Sequence, residues 1–300
     1  MLLKTVAQAI LPDALYESVR ARWAYRRKKK RQAYERRKDA ETTRERDEIE
    51  KVKASHFYEH YFKQKVDSIY PLVRATHEIH NFTYDLTDRN LWYLADTIAC
   101  ALDKPREEIE RYIEEAKTDR EINAAALALT PHVQVASPFG RRLGWYAVAR
   151  ALKPRTIVET GVDRGHGSLI LCAALLRNAA EGYPGRYFGT DLRREAGQLL
   201  AGKYAGVGKI LYGDSIESLE RHIESVDLFI NDSDHSDDYE YREYLAIRPK
   251  LTARAIILGD NAHVTDKLAR FSRETGRKFL FFREEPKDHW YPGAGLGISF

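Results

Sequence analysis

Acidic and amide side chains follow two apolar runs in the second half of the chain. The run 227–231 leads straight into Asp232, and a second run ends before Asp260 and Asn261. If the two runs are neighbouring parallel strands, their carboxyl ends lie side by side and these three residues converge. Carboxylate and amide oxygens suit Mg²⁺ or Mn²⁺, and unpaired carboxylates at one point repel one another. The pattern therefore predicts a divalent cation held by Asp232, Asp260 and Asn261.

Two histidines follow the same runs. His235 comes three residues after Asp232, in the turn that leaves the strand. Its unperturbed pKa of about 6.5 suits proton transfer near neutral pH, so we predict that His235 is the general base. His263 is the second catalytic candidate, although a residue there could equally open the next helix. Asp234 is the alternative to Asp232 as a metal ligand.

A glycine-rich turn lies upstream. Residues 157–168 read Ile-Val-Glu-Thr-Gly-Val-Asp-Arg-Gly-His-Gly-Ser, an apolar run closed by an acid and followed by a helical pattern. Glycines let a backbone approach a ligand where a Cβ atom would clash, and the N–H groups that open a helix favour anions. Ordinary strand–helix punctuation is the alternative interpretation. The cofactor-binding residues predicted in this segment are Glu159, Gly161, Asp163, Gly165, Gly167 and Ser168.

Acids also follow the next two apolar runs. Asp191 closes the run 187–191, where a carboxylate can accept both hydroxyls of a ribose. Asp214 and Ser215 follow the run 209–212, where a carboxylate can meet the amino group of an adenine. Each acid alone has a simpler interpretation as a helix cap or turn residue. Together with the glycine turn they predict a nucleoside-containing cofactor, and Asp232 is counted among its ligands.

The elements that must position these residues alternate between apolar runs and helical patterns. The predicted strands are 156–159, 187–191, 209–212, 227–231, 255–258, 279–283 and 297–300. Such alternation favours an α/β fold with a parallel sheet and helices on both faces. The loop between the last two runs is too short for a crossover helix, which predicts an antiparallel pair. We therefore expect a Rossmann-like seven-stranded sheet with an antiparallel terminal hairpin.

The glycine turn behind Glu159 resembles the first motif of class I methyltransferases that use S-adenosylmethionine (SAM). The strand-end acids resemble those of metal-dependent O-methyltransferases, both the catechol and caffeoyl-CoA type and the type that acts on macrolide sugars and cephalosporins. The resemblance spans roughly residues 138 to 300. It implies SAM as the cofactor and Mg²⁺ bound by Asp232, Asp260 and Asn261. His235 stands where the sugar-modifying enzymes have histidine and the catechol type has lysine.

The resemblance implies Mg²⁺-assisted O-methylation of a hydroxyl on a sugar, a related small molecule or a glycoconjugate; a polyphenol is a further possibility. A nucleic-acid methyltransferase is one alternative. The sequence Asn231-Asp232-Ser233 lacks the Pro-Pro-aromatic turn that holds the amino group of a base. A SAM-binding scaffold without catalysis is the other alternative, and the presence of the expected ligand and base positions speaks against it.

The first 135 residues lie outside the resemblance. Residues 13 to 54 read as a long charged helix, and Lys and Arg dominate residues 20–38, where Glu35 is the sole acid. We predict a basic helical arm over 1–54, a helical lid or dimerisation region over 55–135, and the methyltransferase domain over 136–300. A solvated or partner-packed helix is one interpretation of the arm; contact between residues 20–38 and an anionic surface is the other. A homo-oligomer is expected.

Bulk composition narrows the class of protein. The 300 residues are 43% hydrophobic, which supports a sizeable core, and the net charge is +4. Only Cys100 and Cys172 are present, so a disulfide framework is not expected. No apolar run approaches the roughly 20 residues of a membrane span. These features predict a cytoplasmic protein, with peripheral attachment to a membrane as an option through the arm.

Overall fold

The structure is a computed structural model that describes residues 13–75, 83–130, 133, 135–233, 236–260 and 262–300. The chain divides into two compact units between Tyr70 and Pro71. Three of the predicted site residues, Asp234, His235 and Asn261, lie outside the described residues.

The first unit is helical. Helix α1 spans Asp13–Phe57, a short π-helical turn spans Tyr58–Phe62, and α2 (Lys63–Ala75) runs past the boundary between the units. Every side chain described between residues 17 and 68 is exposed. The predicted long charged helix is therefore confirmed, and it buries no stripe of its own. No helix in the described parts of the chain is long and apolar enough to cross a membrane.

Four helices precede the sheet in the second unit. They are α3 (Asp88–Leu102), α4 (Arg106–Thr118), α5 (Arg120–Leu127) and α6 (Arg142–Leu152). Helices α3 and α6 pack closely at Gly144, because a Cβ atom there would lie 2.9 Å from Leu94 Cδ1 and 3.1 Å from Ile98 Cδ1. The apolar residues of these helices share one buried cluster with the sheet. This packing fixes the start of α6, which carries two arginines of the candidate site.

The predicted seven-stranded sheet is confirmed. Its strand order is β3-β2-β1-β4-β5-β7-β6, and β7 alone runs antiparallel to its neighbours. The strands are β1 (Thr156–Thr160), β2 (Arg186–Asp191), β3 (Gly208–Tyr212), β4 (Val226–Asn231), β5 (Leu251–Gly259), β6 (Phe279–Arg283) and β7 (Gly295–Ser299).

Helices follow the first five strands and cover both faces of the sheet. They are α7 (His166–Ala180), a 3₁₀ turn (Gly202–Gly206), α8 (Ser215–His222), α9 (Asp237–Ile247) and α10 (Lys267–Glu274). Alternate residues of β4 enter opposite cores: Leu228 and Ile230 lie in one buried cluster and Phe229 in the other. Because β1, β2, β4 and β5 run parallel, their carboxyl ends share one edge of the sheet. The predicted site residues that the structure describes lie along this edge or close to it.

Candidate functional site

The glycine turn connects β1 to α7 and touches the end of β4. Gly161 has φ of +80°, and a Cβ atom there would overlap the backbone carbonyl of Asp232. The turn is held by the N–H of Gly161, which donates to Thr190 O at 3.0 Å. The close approach predicted for a ligand is thus made, at this glycine, by the protein's own backbone.

Beneath the turn lies a buried acid. Tyr187 donates its hydroxyl proton to Glu159, and the Tyr187 hydroxyl lies 2.8 Å from Ser168 Oγ. A Cβ atom on Gly167 would overlap the Glu159 carboxylate, so this glycine makes room for the acid. Burial raises the pKa of Glu159 to about 8, against the opposing hydrogen bond from Tyr187. The Tyr187 hydroxyl therefore links the Glu159 carboxyl group to the Ser168 hydroxyl. Both side chains are buried and do not line an open groove.

Asp191 lies at the carboxyl end of β2, where the ribose was predicted. Its Oδ2 accepts the N–H of Asp163 at 2.9 Å and its Oδ1 accepts the N–H of Arg193 at 2.8 Å. The Asp163 side chain, on a residue with φ of +46°, pairs with Arg193 at 2.6 Å. Two backbone N–H groups thus fix the Asp191 carboxylate beside the glycine turn, and each oxygen keeps lone pairs for a further donor.

Asp214 and Ser215 open α8. Asp214 Oδ1 caps the helix by accepting the N–H of Glu217 at 2.9 Å, and its Oδ2 accepts the Tyr239 hydroxyl at 2.8 Å. The helix-cap interpretation therefore describes what this side chain does. The Ser215 hydroxyl is buried and donates to Glu243.

Glu243, on α9, was not anticipated from the sequence. This fully buried carboxylate accepts from Asn231 Nδ2 and Ser233 Oγ, both at 2.6 Å, and from Thr160 Oγ1 at 3.2 Å. Together with the bond from Ser215 it joins the ends of β1 and β4 to the start of α8. The only signal in the sequence is a charged residue on the buried side of a helix that also carries Tyr244 and Ile247.

Asp232 and Asp260 do converge, as predicted, but two arginines lie against them. Arg141 donates Nε (2.6 Å) and Nη2 to the two oxygens of Asp260, and Arg142 donates Nη2 to Asp232 Oδ2 at 3.2 Å. Burial and the neighbouring Asp260 charge raise the pKa of Asp232 above its ordinary value. Burial also opposes ionisation of Asp260, but the Arg141 charge outweighs it and lowers the pKa of that carboxyl.

A third acid, Glu284, holds Arg141 in place. Glu284 Oε2 accepts Arg141 Nη1 at 2.9 Å and the Tyr84 hydroxyl at 2.6 Å. Its Oε1 accepts the backbone N–H of Arg141 at 2.7 Å, and Ala294 N–H donates to Oε2 at 3.1 Å. The carboxylate side chain has no exposed surface. Neither Glu284 nor the two arginines was predicted from the sequence, although adjacent arginines at the start of an otherwise apolar helix are a usable signal.

This arrangement does not fit the predicted divalent-cation site. Both Asp260 oxygens and one Asp232 oxygen accept N–H groups of guanidinium cations, and a divalent cation on the same oxygens would lie against those positive charges. Among the described residues, no group of three or more His, Cys, Asp or Glu is arranged to hold a metal ion. The third predicted ligand, Asn261, lies outside the described residues, as do Asp234 and His235.

His263 is exposed in the turn after β5, three residues beyond Asp260. Desolvation and the positive charge of Arg141 lower the pKa of its imidazole below the ordinary value. A histidine with a lowered pKa is neutral at pH 7 and can accept a proton. The described structure therefore keeps His263 as a candidate base.

Comparison with known proteins found one matching sequence family and several similar structures. Residues 158–262 match a sequence family described as a methyltransferase domain. No curated protein sequence matches the chain. The structure is similar to the O-methyltransferase TomG from Streptomyces achromogenes, involved in tomaymycin synthesis, in complex with SAM. That similarity has 19% identity and a TM-score of 0.45, covering 61% of this chain and 89% of TomG.

It is also similar to an O-methyltransferase from Bacillus cereus in complex with S-adenosylhomocysteine. There the identity is 14% and the TM-score 0.43, covering 69% of this chain and 97% of the other. Similarity at this level assigns no activity. What the sequence comparison supports is a methyltransferase domain over residues 158–262, which contains the glycine turn and the ends of β2, β4 and β5.

Proposed function

We propose that this protein is a SAM-dependent O-methyltransferase that acts on a hydroxyl group of a small molecule or glycan. The observation that carries the proposal is the shared carboxyl edge: the glycine turn and Asp191 lie beside the Asp232–Asp260 pair, inside the region that matches a methyltransferase domain. In open α/β sheets, ligands bind at this edge.

The chain offers a suitable place for SAM. The Asp191 carboxylate is fixed by two backbone N–H groups and suits the ribose hydroxyls, and the turn 161–165 supplies backbone groups beside it. Asp214 is engaged by the helix cap and Tyr239, so we assign it a supporting role in shaping the edge. SAM, when bound, supplies a methyl group on a sulfonium centre that is open to in-line attack.

A histidine at this edge takes the proton of the acceptor hydroxyl. His235 remains the first choice from its position after Asp232, and His263 is the alternative, because its lowered pKa keeps the imidazole neutral. The acceptor class favoured by the histidine at 235 is a sugar or another compound with neighbouring hydroxyls. Mg²⁺ assistance, expected from the resemblance, is not part of this proposal because arginines engage Asp232 and Asp260.

A methyl-transfer assay tests the proposal. The protein is incubated with SAM labelled on the methyl group and a panel of sugars, glycosides and catechols, and label in the acceptor is counted. We expect transfer to at least one hydroxyl acceptor and a loss of about 10- to 100-fold at limiting SAM in Asp191→Ala, the scale of lost charge-assisted hydrogen bonds. Asp266→Ala, at an acid whose side chain is 80% exposed, is the matched control. Tight SAM binding without transfer to any acceptor would favour the scaffold alternative.

A second proposal concerns the basic arm. The Lys and Arg side chains of residues 20–38 are exposed all along α1. We propose that they bind an anionic membrane surface, since each basic residue near such a surface contributes about 1 kcal/mol. Sedimentation with vesicles that contain phosphatidylserine should retain the protein at low salt and release it at high salt. Retention on neutral vesicles, or on nucleic acid alone, would reject the membrane proposal.

A further inference from the structure

We propose that the guanidinium groups of Arg141 and Arg142, which lie against Asp260 and Asp232, take the place that the sequence predicts for a divalent cation, so that this protein needs no metal ion there. For catalysis this inference rests on the proposed methyl-transfer function; for metal binding it can be tested without any substrate.

The two guanidinium groups supply the positive charge that a divalent cation would bring. Two guanidinium groups remain protonated at any physiological pH and together carry the charge of one Mg²⁺. They contact the same carboxylates that were predicted as ligands: Arg141 holds both oxygens of Asp260, and Arg142 reaches Asp232. Arg141 thereby supplies Asp260 with the counter-charge that the sequence led us to expect from a cation.

Buried groups of the protein are organised around the Arg141 guanidinium. Glu284 is a buried carboxylate that receives both the backbone N–H and the Nη1 of Arg141, and it is further oriented by Tyr84 and the N–H of Ala294. Its only ion-pair partner among the described residues is Arg141. If a metal displaced the arginine from Asp260, Glu284 would lose its counter-charge in a site without solvent. The guanidinium therefore belongs to the folded site.

Local packing at the start of α6 holds the Arg142 guanidinium in place. The Arg142 guanidinium carbon lies 5.1 Å from the centre of the Trp145 ring, and the Arg142 side chain is only 17% exposed. Its Nε is buried and has no hydrogen-bond partner among the described residues. Stacking on a buried aromatic ring holds this second guanidinium beside Asp232.

Metal binding by the protein alone tests the inference. Protein stripped with EDTA is titrated with Mn²⁺, and free Mn²⁺ is followed by electron paramagnetic resonance. We expect wild type to leave the free signal unchanged at equimolar Mn²⁺. We expect Arg141→Met, which frees the oxygens of Asp260 and Glu284, to gain stoichiometric binding and a rise in melting temperature with Mn²⁺. Arg89→Met, which removes an arginine from the exposed pair with Glu285, is the matched control and should gain neither.

Two results would overturn the inference. One is stoichiometric Mn²⁺ binding by wild type that disappears in Asp260→Asn. The other is a folded Arg141→Met protein that binds no Mn²⁺, since the guanidinium would then not be what keeps the cation out. If Arg141→Met does not fold, Arg142→Met takes its place under the same criteria. These readouts need neither SAM nor an acceptor, so a failure of the methyl-transfer proposal would be seen separately, as absent SAM binding or absent transfer.

Discussion

The two halves of the sheet's carboxyl edge use acidic residues in different ways. On the β2 and β3 side, Asp191 and Asp214 accept backbone N–H groups within two or three residues, together with Asp163 N–H across the turn. On the β4 and β5 side, Asp232 and Asp260 accept guanidinium groups that lie 90 and 119 residues away. The first half is fixed by local turns, whereas the second depends on how α6 packs against the sheet.

The sequence pattern accounts for the surroundings of Asp191 better than for those of Asp232 and Asp260. Asp191 lies at the carboxyl end of β2, where two backbone N–H groups hold its carboxylate. Asp232 and Asp260 follow β4 and β5, and their partners come from the start of α6, which the sequence pattern does not include. The same acids that suggest a metal site are here the partners of a buried arginine pair.

The largest expected effect is on turnover. Replacing the catalytic base should lower kcat by about 10²–10⁴, the usual range for a lost general base. We expect this for His235→Ala and a smaller effect for His263→Ala, measured with saturating SAM and acceptor. If instead the larger loss of kcat is seen in His263→Ala, the base is His263, in the turn after β5. In that case kcat should fall as the pH drops through the lowered pKa of His263, because protonation removes the base.

On the β4 and β5 side of the edge, removal of the Arg141 guanidinium should lower the free energy of unfolding. Arg141→Met leaves the carboxylates of Asp260 and Glu284, of which 2% and 0% is exposed, without their counter-charge. Breaking a buried pair from one side costs about 3–5 kcal/mol of unfolding free energy. Arg89→Met, at an exposed pair, should cost no more than about 1 kcal/mol. If both variants lose the same unfolding free energy in urea, the buried and the exposed ion pairs stabilise the protein equally, and this prediction is wrong.

Glu159, the buried acid in β1, should make the free energy of unfolding depend on pH. Folding raises the pKa of Glu159 from 4.5 to about 8, so the folded state keeps a proton that the unfolded chain releases. This contribution is complete below about pH 4.5 and is lost as the pH rises to about 8, on the order of 5 kcal/mol. Glu159→Gln should flatten that part of the profile in urea unfolding between pH 5 and 8.5. An unchanged profile would show that Glu159 ionises normally in the folded protein.

The smallest effect is expected from the arm, which serves as a control for both halves. Deleting residues 1 to 50 removes only exposed side chains among those described, so the unfolding free energy of the remainder should change by less than about 0.5 kcal/mol. Circular dichroism and urea unfolding measure this directly. A truncated protein that is insoluble or unfolded would place the arm within the fold.

Much of the fold could be predicted from the sequence because its signals are local. Apolar runs separated by helical patterns gave all seven strands, and the short loop before β7 gave the antiparallel hairpin. The partners of Asp260 could not be predicted in this way. Arg141 and Glu284 lie 143 residues apart and have no shared motif. Glu243 joins three elements for the same reason: only tertiary packing brings its donors together.

The most direct test of the proposed function is calorimetric titration of S-adenosylhomocysteine into the EDTA-treated protein. Methyl transfer at this edge predicts binding at one site per chain, and Asp191→Ala should weaken it by about 10- to 100-fold, with Asp266→Ala unchanged. Binding of S-adenosylhomocysteine by the wild-type protein in the presence of chelator would also agree with a cofactor site that needs no metal ion. No measurable binding, or equal affinity in Asp191→Ala and wild type, would contradict the account.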